Sequence, residues 1–327
     1  MKFARYLVLR IAAMIVVLLV VTLVTYLIFQ VVPSDPARAE CGRVCTPAQL
    51  QQVRAFMGLN HSVWQQYVSF LGGIFSGRSF GHGANAIRCA APCLGYSFQQ
   101  DQSVLSLLGQ TVPVTLSIAI GAGLLWFVGG VTAGTVSALR HGGVLDRTVM
   151  AGAIVGVSAP AYLVGLLAIL VFGFRLGWLP TSGYVSISNP GGWAQHLILP
   201  WCTLAFISAA IYARLTRSQM LDALDQDYVR TARAKGLRER RVIGRHALRN
   251  VLIPVITVFG LDFGTLLGGA VITEKVFSMY GLGALLIGAV STTNLPVITG
   301  VTVVAAAFVV VANFAVDLTY RLLDPRV

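Results

Sequence analysis

Residues 227–254 read DYVRTARAKGLRERRVIGRHALRNVLIP, a basic segment between two apolar runs. The run before it covers residues 197–213, and the run after it begins at Val251. Over the whole chain, 56% of the residues are hydrophobic and 11% are charged, whereas soluble domains carry about 25% charged residues. The pattern predicts a polytopic membrane protein in which a hydrophilic segment joins two membrane helices.

Six apolar runs without charges supply the candidate membrane spans. About 20 residues, at about 1.5 Å rise each, cross a hydrocarbon core of about 30 Å. The runs are residues 11–32, 111–139, 148–174, 197–213, 251–261 and 295–316. We expect the fifth, which Asp262 interrupts, to continue through a glycine-rich stretch to Ile272. The sequence therefore predicts an all-α polytopic membrane protein with six transmembrane helices.

The first apolar run also has the basic flank of a signal peptide, with Lys2, Arg5 and Arg10 near it. Its length exceeds the roughly 7–15 apolar residues of a signal peptide, and no cleavage site with small residues follows it. We therefore expect a retained first transmembrane helix.

Most of the 24 Lys and Arg residues fall on one side of the predicted membrane. The positive-inside rule then places both termini in the cytoplasm. The net charge of +12 is explained by this topology and by anionic lipid headgroups, so we predict contact with membrane lipid and no nucleic-acid partner.

A polar region at residues 33–110 is predicted to form a small external lid. Capping boxes at Thr46–Gln49 and Ser62–Gln65 predict two short helices in it. The region carries two C-x3-C pairs, formed by Cys41, Cys45, Cys89 and Cys93. An oxidising exterior favours two disulfides of undecided connectivity, and a zinc site is the alternative.

The stretch 281–291 is mostly apolar but too short to cross a bilayer. A re-entrant or interfacial helix fits it best.

The sequence has no P-loop, no H-E-x-x-H motif and no G-x-S-x-G motif, and its five histidines are scattered. We therefore predict no catalytic residue, no metal site and no cofactor bound by this chain. Any ATP would be bound by another protein.

The start of the basic segment carries the signals of a short capped helix. Asp227 suits the positive end of the helix dipole, and Gly236 can supply a left-handed cap. Tyr228, Val229 and Ala232 are expected to form an apolar patch that a partner's cleft can approach. The alternative is a basic loop that lies on lipid headgroups.

The segment from Tyr228 to Gly236, YVRTARAKG, resembles the EAA loop of permease subunits from bacterial ABC importers. Arg230 stands where the general pattern has glutamate, and the Ile-Pro pair comes later than in that pattern. Both departures are similar to the dipeptide, oligopeptide and nickel branch of the family. Further matches are VPSDP at 32–36, TVPVTL at 111–116, GAVITEKVF at 269–277 and LDPR at 323–326.

The resemblance implies a fold of the type I ABC importer permease kind and a heteromeric importer that works by alternating access. Its partners would be a second homologous permease subunit, two ATPase subunits that bind ATP and Mg²⁺, and an external substrate-binding protein. The residues implied in ATPase coupling are Asp227, Tyr228, Val229, Arg230, Thr231, Ala232, Arg233, Ala234, Lys235 and Gly236.

The implied organisation has three parts. Residues 1–32 form the cytoplasmic N-terminus and first helix, residues 33–110 the lid, and residues 111–327 the core permease domain with a coupling loop at 221–250. Asp262 is a candidate for the translocation pathway, because a carboxylate within a span needs water or a partner. It could instead pair with Arg214 or Arg217, or cap a helix break.

A stand-alone secondary transporter is the alternative function, and a membrane-anchored receptor is a third. The substrate stays open among a dipeptide, an oligopeptide, glutathione, a metal chelate and haem.

Overall fold

The structure is a computed structural model, and it describes residues 2–31, 37–38, 45–81 and 86–323. The chain divides into two compact units. The first consists of Met1–Thr115 and Tyr280–Val311, and the second of Leu116–Met279 and Ala312–Val327.

The first unit combines helices with two small antiparallel hairpins. In chain order its elements are α1 (Lys2–Val31), α2 (Pro47–Met57), α3 (Val63–Ser76), β1 (Arg78–Phe80), β2 (Ile87–Cys89), β3 (Tyr96–Ser97), β4 (Gln102–Ser103) and the start of α4 (Val104–Leu139). The helix α12 (Leu282–Ser291) and the start of α13 (Leu295–Leu323) complete it.

The two predicted lid helices are confirmed. Thr46 and Gln49 form a reciprocal capping box at the start of α2, and Ser62 and Gln65 form another at the start of α3. These bonds satisfy backbone donors that have no partner within a helix. The aromatic side chains of Tyr67 on α3 and Tyr26 on α1 then pack together and join the lid to the first helix.

The lid cysteines that lie within the described residues form disulfides. Cys89 at the end of β2 is bonded to Cys93, and Cys45 is also disulfide-bonded. The zinc alternative is wrong, because a disulfide sulfur of Cys89 cannot serve as a thiolate ligand. Cys41 lies outside the described residues.

The short apolar helix expected at 281–291 is confirmed as α12, with ten residues from Leu282 to Ser291. Leu282 and Leu285 are buried in one hydrophobic cluster with Val104 of α4 and Ile298 of α13. The Leu282 N–H donates to Thr115 Oγ1 at 2.8 Å. The α12 start is therefore fixed by both apolar packing and a buried hydrogen bond.

The second unit is a bundle of helices. Its elements are the end of α4, α5 (Val144–Ser158), α6 (Ala161–Ala168, continued by a π-helical segment Ile169–Arg175), α7 (Pro190–Leu224), α8 (Asp227–Ala234), α9 (Glu239–Arg241, continued by a π-helical segment Val242–Ala247), α10 (Leu248–Leu267), α11 (Val271–Val276) and the end of α13.

Within the described ranges, five helices are long and apolar enough to cross a membrane, and a sixth span results if α5 and α6 count as one. These two helices are bent by 105° relative to each other. The structure therefore breaks the span predicted over residues 148–174. Pro160 explains the break, because it disfavours helical backbone at Ala159, which is extended.

The fifth span differs from its prediction at both ends. The helix is continuous for 29 residues from Glu239 to Leu267, through the π-helical segment before α10. The expected continuation to Ile272 is wrong. Gly269 has a φ of 135°, which interrupts the helix, and α11 is a separate short element.

Helices α4 and α7 approach closely because glycine lies at their contact. A Cβ atom added at Gly134 would lie 2.4 Å from the Ala213 carbonyl oxygen. Small residues of this kind allow membrane helices to pack backbone against backbone.

Candidate functional site

The coupling segment, residues 227–236, folds as the predicted capped helix. The N–H of Gly236 donates to the Arg233 carbonyl at 2.9 Å, and the N–H of Leu237 donates to the Ala232 carbonyl at 3.3 Å. Gly236 has a φ of 75°, so the two bonds form a Schellman motif with glycine in the left-handed conformation. The predicted left-handed cap is confirmed.

The predicted apolar patch of the coupling segment faces the interior of this chain and not a partner protein. Val229 is 0% exposed and Ala232 is 5% exposed, and both pack in one cluster with Val242 and Ala247 of the π-helical segment before α10. The idea that these two side chains meet a partner's cleft is therefore wrong. They attach α8 to the chain's own fifth span, because a short helix is stable in water only when one face is packed.

The opposite face of α8 is open. Tyr228 is 39% exposed, and the other exposed members of the coupling segment are Asp227, Arg230, Thr231, Arg233, Ala234, Lys235 and Gly236. This face offers one aromatic ring, several cations and two small side chains. It can therefore pack closely against a second protein without deforming α8.

An ion pair joins α8 to the start of the fifth span. Arg233 Nη2 donates to Glu239 Oε1 at 2.7 Å, and Arg233 Nε donates to Glu239 Oε2 at 3.3 Å. The hydrogen bonds that Arg233 donates to this carboxylate raise the pKa of Arg233 above its usual value. Both side chains are about half exposed, so the pair contributes at most about 1 kcal/mol and mainly fixes geometry.

Asp262 lies on α10, near the end of the fifth span, with its side chain exposed on the surface of this chain. Its Oδ2 accepts a hydrogen bond from the buried Tyr212 hydroxyl of α7 at 2.8 Å. The Tyr212 ring packs against Trp126 and Phe259. The carboxylate is thus anchored by a phenol and not by Arg214 or Arg217, so the alternative pairing with arginine is wrong.

Comparison with protein families identifies the chain. Residues 130–327 match the family of binding-protein-dependent transport system inner membrane components. Residues 3–119 match the N-terminal region of such membrane components. The chain belongs to this family.

Relatives of this transport component span nearly its whole length. A Brucella abortus (strain 2308) protein, named as a peptide transport system permease, is 37% identical over 97% of both chains. The di/tripeptide transport system permease protein DppB of Pseudomonas aeruginosa (strain UCBPP-PA14) is 37% identical over 94% of both chains. The lid is therefore part of the region that these proteins share.

A solved structure supports the fold assignment. The chain is similar to one in the inward-facing MetNI methionine ABC transporter, with a TM-score of 0.54 and 22% identity. The match covers 67% of this chain and 97% of the other. The transport component therefore has the fold of a type I ABC importer permease, and it is a multi-pass inner-membrane protein.

Sequence reasoning missed a polar cluster at the start of α5. Asp146 is buried and accepts bonds from Ser137 Oγ at 2.5 Å, from the Gly142 N–H at 2.9 Å, and from Arg217 Nε and Nη2 at 2.6 and 2.8 Å. His141 Nδ1 lies 3.2 Å from its Oδ2. The cluster ties α4, α5 and α7 together in the permease. An acidic residue shortly after Gly142-Gly143, two residues before the span predicted at 148–174, was the available signal.

Proposed function

We propose that this chain is the transmembrane permease subunit of an ATP-driven importer. It passes peptides, or a related small solute, from an external binding protein into the cytoplasm. The peptide assignment rests on the names of the relatives from Brucella abortus and Pseudomonas aeruginosa. The dependence on a binding protein follows the description of the family.

The observation that carries the proposal is that α8 has one buried face and one exposed face. One face is fixed in the hydrophobic core of the chain through Val229 and Ala232, and the other is exposed. A helix held in this way transmits a push or a rotation to the span that follows it. The exposed face of the coupling segment is the proposed contact with an ATPase subunit.

The chain itself is non-catalytic in this proposal. It has no P-loop, so ATP and Mg²⁺ are bound and ATP is hydrolysed on two partner ATPase subunits. A second, homologous permease subunit completes the translocation pathway. Both termini lie in the cytoplasm, on the same side as α8, in agreement with the distribution of Lys and Arg.

Transport proceeds by alternating access. Closure of the ATPase subunits on ATP moves the coupling segments, and the attached spans open the pathway toward the binding protein. Asp262 lines this pathway. An exposed carboxylate within a span is costly against lipid, whereas a water-filled pathway hydrates it and lets it meet a cationic group of the substrate.

The first experiment is purification of the tagged chain from its own membranes in a mild detergent, followed by mass spectrometry. We expect a second six-span subunit and P-loop ATPases in the eluate. Recovery of the chain alone, in a detergent shown to preserve such complexes, would refute the proposal and favour a stand-alone secondary transporter.

A variant then tests the coupling face itself. Ala234→Glu adds bulk and negative charge to the exposed face of α8, and we expect it to abolish substrate-stimulated ATP hydrolysis while the subunit stays in the membrane. Ser188→Glu adds the same side chain to an exposed loop of the second unit and serves as the control. Equal ATPase stimulation in the two variants would exclude this face as the contact.

A further inference from the structure

A small cavity lies in the first unit beside the hairpin β1–β2. Its volume is about 60 Å³, several times the roughly 10–15 Å³ that one bound water needs. Phe70, Phe80 and Phe98 form much of its wall, and Arg78 and Thr299 contribute polar groups. The cavity therefore combines an aromatic wall with one fixed positive charge.

The Arg78 side chain is partly buried beside the cavity. Its Nε atom is buried without a partner among the described residues, and the guanidinium carbon lies 4.5 Å from the centre of the Phe80 ring. Burial lowers the pKa of Arg78, yet an arginine keeps its proton in proteins. The described lining contains no Asp or Glu that would pair with this charge.

The chemistry of the cavity favours one kind of ligand. A guanidinium binds a carboxylate through two parallel hydrogen bonds, which are stronger than bonds between neutral groups. Low local polarity strengthens such a pair further. The cavity is large enough to admit a carboxylate group beside Arg78.

We propose that this cavity is a binding site for a single carboxylate group, with Arg78 as its charge partner. The inference rests on the proposed function only in placing the cavity on the outer side of the membrane. The carboxylate there belongs either to a transported peptide or to an acidic side chain of the external binding protein.

The test uses the full-length chain in lipid nanodiscs and saturation-transfer NMR with acetate as the probe. We expect a dissociation constant of about 1–20 mM, as befits a ligand of four heavy atoms. Acetamide has the same shape without the charge and is expected to bind at least about tenfold more weakly. Equal binding of acetate and acetamide would overturn the proposal without any variant, and so would the absence of acetate binding at about 100 mM.

A pair of arginine variants locates the site. Arg78→Gln is expected to abolish acetate binding. Arg88→Gln changes an exposed arginine of the same hairpin, whose backbone pairs with Ser79, and is expected to leave acetate binding unchanged. Retention of acetate binding in Arg78→Gln would refute the assignment.

Competition identifies the source of the carboxylate. Displacement of acetate by glycylglycine, but not by its C-terminal amide, assigns the site to a peptide carboxylate. If neither compound displaces acetate while acetate still binds at Arg78, the site is assigned to an acidic side chain of a protein. Neither result depends on ATPase partners, so failure of the proposed function in the purification experiment is distinguishable from failure of this site.

Discussion

The contact between α4 and α7 offers a sharp test of how the membrane bundle is packed. A Cβ atom at Gly134 would lie 2.4 Å from the Ala213 carbonyl oxygen, 2.8 Å from Thr216 Cβ and 3.0 Å from the Arg217 backbone nitrogen. Ordinary van der Waals contact begins at about 3.5 Å. Two of these three atoms belong to the backbone of α7, so the clash can be relieved only by moving a whole helix.

The cost of Gly134→Ala follows from this geometry. Overpacking of a rigid contact costs about 1–3 kcal/mol. Up to about 1 kcal/mol of this cost is offset, because alanine forms helices better than glycine does. Gly129 provides the matched control on the same helix, because a Cβ there meets nothing within 4 Å. Gly129→Ala should therefore be neutral or stabilising by up to about 1 kcal/mol, and the two variants should differ by about 1–3 kcal/mol.

The difference is measurable as the free energy of unfolding of each purified variant, in mixed micelles with increasing denaturing detergent. Cysteine accessibility supplies a second readout, because Cys202 of α7 is the free cysteine among the described residues. Its labelling should accelerate in Gly134→Ala if α7 is displaced. Equal unfolding free energies for the two alanine variants would show that the close contact of α4 with α7 is incorrect.

Two further predictions concern the polar groups of the bundle. Tyr212→Phe removes the hydroxyl that holds Asp262. We expect a several-fold lower transport rate in reconstituted vesicles. The free energy of unfolding should fall by at most about 1.5 kcal/mol, because the carboxylate is exposed. Unchanged transport would exclude a pathway role for this pair. Asp146→Asn removes the charge of a buried, multiply bonded carboxylate and should lower the thermal unfolding midpoint, whereas Asp227→Asn, at an almost fully exposed site, should leave it unchanged. A midpoint shift of equal size in both variants would contradict the structural role of the cluster.

Local signals allowed the caps and the short helices to be predicted from the sequence. The capping boxes at Thr46 and Ser62, and the glycine cap at Gly236, depend on residues within one helical turn. They are all present in the structure. The position of α12 was likewise predictable, because its length and composition are contained in one short stretch.

Tertiary contacts were not predictable in the same way. The sequence indicates that Val229 and Ala232 share a face of α8, but not whether that face meets a partner or the chain itself. The partner of Asp262 is 50 residues away on another helix, and no pattern in the sequence connects it to Tyr212. The break at Pro160 had a local signal, yet apolar composition alone favoured one continuous span over residues 148–174.

The arrangement of α8 and the fifth span suggests how a push on the coupling segment reaches Asp262. The helix runs without interruption from Glu239 to Leu267, and Asp262 lies 23 residues after Glu239, which is roughly 35 Å along a helix. Val229 and Ala232 fix α8 to the N-terminal part of this helix. The Arg233–Glu239 pair fixes the C-terminal end of α8 to the first residue of the same helix. Because packed interiors resist deformation, a displacement of α8 must tilt or rotate the helix as a body. Substitutions that loosen the buried face of α8 should therefore uncouple ATP hydrolysis from transport without altering either the ATPase contact or the pathway.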